Sequence, residues 1–128
     1  NETTTSTTIA FNTIESNFPI DNDDDLKLVE EQIQIDMAYR KKLVRDLSMS
    51  GGTELKHILQ RIMSKLFSDS LLEGYSFVGR GVNKKKKFSN LHICKVIIDS
   101  IRSVPKFENL QDQIENKLKI YLAQAPFR

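Results

Sequence analysis

Three kinds of residue in this 128-residue chain have the type and spacing to do chemistry: spaced glycines, a few soft ligands and one run of cations. The glycines are Gly74 and Gly79, with four residues between them, and Gly79-Arg80-Gly81. A loop that cradles a nucleotide needs a preceding strand and either a following Lys-Ser/Thr or a third spaced glycine. Neither stretch has them, which excludes a nucleotide loop. The ligands are His57, His92 and Cys94. Tetrahedral zinc takes four such groups, or three and a water. Cys94 falls on an apolar helical face, where a thiol behaves as a small hydrophobe. Glu73 and Asp99 are isolated carboxylates, and no Ser/His/Asp spacing marks a nucleophile. The expectation is a non-enzymatic protein with no metal, no cofactor and no small-molecule substrate.

The cations point elsewhere. Arg80 and Lys84, Lys85, Lys86 and Lys87 lie between Tyr75, Phe77 and Phe88, with Arg61, Lys65, Lys95 and Arg102 on the flanking predicted helices. Lysine and arginine neutralise phosphates and release counterions, which drives sequence-independent affinity for nucleic acid. The pattern predicts double-stranded DNA or a chromatin protein as partner. Aromatics in such a loop can stack on bases, but Phe77 and Phe88 are expected as anchors into the core, following the ordinary preference for burial. The plainer readings of the lysine run are a solvated loop tip or a nuclear-import signal, and the expected compartment is the nucleus.

Charge is segregated along the chain. Residues 1–38 hold nine Asp/Glu and one Lys, whereas residues 39–106 hold fifteen Lys/Arg and five Asp/Glu. The acidic cluster Asp21, Asp23, Asp24 and Asp25 reads as a solvated helix start, or alternatively as an intramolecular lid on the basic region.

The elements that must position the basic loop follow from periodicity. Residues 1–17 are rich in Thr, Ser and Asn and predict a disordered tail, from which Ile9, Phe11 and Ile14 could dock as a short segment. Phe18-Pro19-Ile20 reads as an extended anchor. Asp23 or Asp24 should cap a first helix carrying Leu26, Val29 and Ile33, and Asp36 a second with Met37, Leu43, Val44 and Leu47 inside. Gly51-Gly52 turns the chain. Thr53 should cap a third helix with Leu55, Ile58, Leu59, Ile62, Met63 and Leu66 on one face. Ser70 and Glu73 have capping-box spacing for a short fourth helix. A hairpin through Tyr75–Gly79 and Lys84–Phe88 is possible, though four lysines disfavour a strand. Ser89 or Asn90 should cap a fifth helix, apolar almost all round and therefore central. Beyond Pro105 a sixth helix places Phe107, Leu110, Ile114, Leu118 and Leu122 at heptad-like spacing with Tyr121 beside them, and Pro126 should end the ordered part. That face could pair with a second copy, giving a homodimer, or pack on the fifth helix of the same chain. The fold class is all-α: residues 18–128 as one compact bundle of five to six helices with a glycine/lysine loop between the central ones.

Length allows one domain. A single cysteine excludes a disulfide framework and fits a reducing compartment. No apolar run approaches the roughly 20 residues that span a bilayer, so no membrane partner is expected. The chain opens on Asn1 rather than Met, as expected of a piece of a longer protein.

The order Phe18-Pro19-Ile20, acidic first helix, Leu47 with Gly51-Gly52, IMSKLFSDSLLEGYSFVGR, KKKKF and LHICKVIIDSIR resembles the domain of unknown function 4806 family, over residues 18–128. That family occurs near the C-terminus of invertebrate proteins, several of them similar to transposon-derived or chromatin-associated proteins. More distantly, the order Leu-Phe, Leu, Gly-Arg, basic loop and apolar helix is similar to BEN domains. The likeness implies a BEN-like helical module that binds DNA or chromatin partners and in some cases dimerises. It implies no established binding residues.

Overall fold

In the computed structural model the described residues are 18–79 and 84–128. The tail expected over 1–17, with Ile9, Phe11 and Ile14, lies outside them, as does Arg80. Leu26, Val29 and Ile33 form the buried stripe of α1 (Asp23–Ile35). Its cap is Asn22, one residue before the expected aspartates: the Asn22 Oδ1 accepts from the Asp25 N–H at 2.8 Å. Asp23, Asp24 and Asp25 instead fill the first turn, where negative charge complements the helix dipole. Asp36 ends α1 and starts α2 (Met37–Ser48), accepting from the Tyr39 N–H at 3.1 Å as expected. The buried face of α2 is Tyr39, Leu43 and Leu47, with Val44 packed at its edge. Met37, expected inside, is 68% exposed. It lies two residues, roughly 200° of helix, from Tyr39 and so faces away from that stripe.

Gly51 and Gly52, at φ of 80° and 127°, carry the chain into α3 (Leu55–Leu66). All six apolar residues read from the periodicity of this helix are buried. Thr53 does not cap it; Glu54 occupies the N-cap without a side-chain bond, and the Thr53 carbonyl accepts from Lys106 Nζ. Ile20, fully buried, runs parallel to the end of α3, donating its N–H to Leu66 at 2.7 Å and accepting from Ser68 at 2.9 Å. The extended anchor thus ties the start of the domain to its centre. Ser68, not Ser70, caps the short α4 (Asp69–Leu72) through the Leu71 N–H.

β1 (Tyr75–Ser76) and β2 (Lys86–Lys87) form a two-residue ladder, Tyr75 opposite Lys86 and Ser76 opposite Lys87. The strands are parallel, not the antiparallel pair of the hairpin considered from sequence. A 3₁₀ turn over Phe88–Asn90 leads to α5 (His92–Arg102), which buries Ile93, Cys94, Val96, Ile97, Ile98, Ser100 and Ile101. It touches α1, α2, α3 and α6 (Gln111–Ala123) and is the central helix that its all-round apolarity predicts. Neither Ser89 nor Asn90 caps it. Leu91 stands at the N-cap, and the carboxylate of Glu30, on α1, accepts from the first N–H groups.

The class is all-α: six α-helices among the described residues, short 3₁₀ turns and one tiny ladder. Pro126 does not end the order. Ala125–Phe127 form a final 3₁₀ turn with Ala125 buried.

Candidate nucleic-acid interface

The lysine run is held in place by backbone contacts rather than left as a loose tip. The Lys86 N–H donates to the Gly74 carbonyl at 2.9 Å, where Gly74 follows α4. Gly79 sits at φ 72°, and a Cβ there would lie 2.7 Å from the Lys87 Cα and 2.8 Å from its N, so only glycine lets the two segments meet. The Gly79 N–H also donates to Ser76 Oγ at 2.9 Å. Lys84 adopts φ 51°, turning the chain into β2. Phe88 is the anchor expected: 1% exposed, it meets Phe67 and Tyr75 edge-on with centroids 5.6 and 6.3 Å away. Phe77 is only partly buried, with Lys119 Nζ over its ring at 5.4 Å.

This scaffold presents Lys84, Lys86 and Lys87 exposed and Lys85 half-buried. Lys84, Lys85 and Lys86 line one shallow cleft of about 450 Å³ with Glu73, Gly74 and Pro126. Lys86 is engaged within the protein: its Nζ lies 2.6 Å from Asp23 Oδ2, while the Tyr75 hydroxyl donates to Asp23 Oδ1 at 2.8 Å. The Lys86 ammonium and then the Tyr75 hydroxyl hold the Asp23 carboxyl below its usual range. Burial, reinforced by that hydrogen bond, raises Tyr75 far above the ordinary phenol value. One residue of the acidic lead-in therefore docks on the basic loop, leaving Lys84, Lys85 and Lys87 without an ion pair among the described residues.

The other cations named from sequence do not join this cleft. Arg61 is exposed on α3, its Nη1 3.4 Å from the Ser50 carbonyl. Lys65 lines a separate groove with Phe18, Pro19, Leu43, Asp46 and Leu47. Lys95 is exposed on α5. Arg102 is occupied structurally, donating from Nε to the Glu108 carbonyl at 2.8 Å and from Nη1 to Gln111 Oε1 at 3.0 Å.

The residues named for self-association are spent on the chain's own core. Phe107, Ile114, Leu118, Tyr121 and Leu122 are buried and Leu110 is packed against them, because α6 lies on α3 and α5. Leu110 alone of that stripe is half-exposed. Cys94 is 2% exposed, and burial pushes its thiol up to about 12. Asp99 pairs with Arg40 at 2.7 Å, joining α5 to α2. Among the described residues no group of three or more His, Cys, Asp or Glu is placed to hold a metal, and no helix is long and apolar enough to cross a membrane.

Sequence reasoning missed the C-terminal turn beside the cleft. Arg128 clasps it: Nη1 donates to the Tyr121 carbonyl at 2.7 Å, Nε to Asp69 Oδ1 at 2.9 Å, and the guanidinium lies 3.7 Å from the centre of the Tyr121 ring. The turn holds Pro126 in the cleft wall and leaves Phe127 88% exposed. The signal available was the Ala-Pro-Phe-Arg ending, whose aromatic and cation have no place in the helical stripe before them.

A family model, Domain of unknown function (DUF4806), matches residues 13–100. The match takes in the lysine run and most of α5 and stops before α6. No curated protein and no solved structure matches the chain.

Proposed function

The chain belongs to the domain of unknown function 4806 family, and from that premise we propose that it is a non-catalytic nuclear module that binds DNA, alone or in chromatin, through the phosphate backbone. One observation carries the reading: Lys87 on the pinned parallel ladder, and Lys84 and Lys85 just before it, have no ion pair among the described residues. Cations already placed lose less freedom on meeting phosphate, and each phosphate neutralised releases counterions. The excess of Lys/Arg over residues 39–106 supports long-range attraction of a polyanion. The basic run also fits a nuclear-import signal, and the sequence likeness to BEN domains points to the same class of partner. Of the nine cations named from sequence, Lys84, Lys85 and Lys87 are the first to meet phosphate, with Arg61, Lys65 and Lys95 further out on the helices.

The test is a salt titration on a duplex of random sequence. Log affinity should fall linearly with log salt, and Lys84→Ala, Lys85→Ala and Lys87→Ala together should flatten that slope by about 1 for each phosphate no longer neutralised. Absence of binding at low salt, or an unchanged slope in the triple variant, overturns the reading.

A further inference from the structure

We infer that Phe127 is a stacking platform for an unpaired base, so that the face built by Lys84, Lys85 and the C-terminal turn takes single-stranded nucleic acid. The inference rests on the phosphate-binding reading above and adds the form of the ligand. Phe127 is the most exposed large hydrophobic residue among those described, at 88%. Its backbone is not loose. The Phe127 N–H donates to the Gln124 carbonyl at 2.9 Å, Ala125 before it is buried, and Arg128 after it is tied to Asp69 and Tyr121. A ring left in water on an anchored turn is already positioned for a flat apolar ligand.

The neighbours define that ligand. Pro126, the residue before Phe127 in the same turn, shares a cleft with Lys84, Lys85 and Lys86. A cationic groove for the backbone beside an exposed aromatic for the base is the combination by which proteins hold single strands without reading sequence, because every base has a π-face. A duplex hides those faces within its own stack and offers the ring nothing to lie on. An acidic peptide would satisfy the lysines but has no base for the ring, so the test includes one.

Fluorescence anisotropy on the whole chain at low salt decides it, with four labelled probes: an oligothymidylate, a duplex of the same length, an abasic strand of the same length and charge, and polyglutamate. The oligothymidylate should bind about tenfold more tightly than the abasic strand. Phe127→Ala should erase that difference while leaving the abasic and duplex affinities and the thermal midpoint where they were. Phe127→Tyr, which keeps a stacking face, should retain it. Equal binding of oligothymidylate and abasic strand, with Phe127→Ala matching the wild type, overturns the stacking role and leaves phosphate binding standing. Binding of none of the nucleic acids overturns both, and polyglutamate binding as tightly as oligothymidylate assigns the face to an acidic polypeptide instead.

Discussion

The carboxylate of Glu30, in the middle of α1, caps the first turn of α5: Oε2 accepts from the Ile93 N–H at 2.7 Å and Oε1 from the His92 N–H at 2.8 Å. The N-terminal amides of the central helix, which the local sequence leaves without a side-chain cap, thus find their partner 62 and 63 residues earlier. The same carboxylate sits at the positive end of the α5 dipole. It locks α1 onto α5 in one register, because a bidentate acceptor tolerates little sliding.

Replacing Glu30 with Ala should therefore destabilise the domain by about 1–2 kcal/mol, the scale of losing a good N-cap. Glu30→Gln, which keeps one acceptor oxygen but not the charge, should fall between. Urea denaturation measures both. An unchanged midpoint for the alanine variant would show that water replaces the carboxylate without cost.

Asp23 is expected to restrain the basic loop. Asp23→Asn frees the Lys86 ammonium, and binding to phosphate at low salt should tighten by roughly two- to fivefold if Lys86 then meets one further phosphate. The exposed pair contributes at most about 1 kcal/mol to stability. The sign with pH follows from the lowered carboxyl value: the folded state favours the ionised form, so the contribution is complete above the ordinary value of 3.8 and disappears as pH falls through the lower folded value. Thermal midpoints of wild type and Asp23→Asn should differ above that pH and converge below it. A constant gap down to strong acid would remove the carboxylate from the account.

Gly79→Ala tests whether the loop is pinned. The substitution puts a side chain at φ 72° and against the Lys87 backbone. The left-handed backbone alone costs about 1 kcal/mol. The ladder should loosen before the helical core does, so amide exchange at Lys86, whose N–H is bonded to Gly74, should accelerate while exchange in α5 changes little. Equal protection at Lys86 in both proteins would mean that the close approach at Gly79 does not hold the lysines.

What the sequence by itself determined was which faces are buried. Leu55 to Leu66 and Ile93 to Ile101 recur at helical spacing, and such periodicity is a local property of consecutive residues. For the same reason the all-α class and the central fifth helix were legible, and the burial of Phe88 followed from the ordinary preference of aromatics for the core. Capping was legible only where it is local and unambiguous, as at Asp36; at Ser68 and Asn22 neighbouring candidates competed, and only backbone geometry chose. The tertiary structure decided everything that joins distant residues: Glu30 on α5, Asp23 on Lys86 and Tyr75, the parallel direction of the two strands, and Arg128 closing on Asp69. Each joins residues more than ten positions apart, mostly more than fifty, through polar groups, and no periodicity encodes such a pair. Segregated charge showed that acid and base would attract, but only the folded chain determined that Asp23 takes Lys86 and leaves Lys84, Lys85 and Lys87 without an ion pair among the described residues.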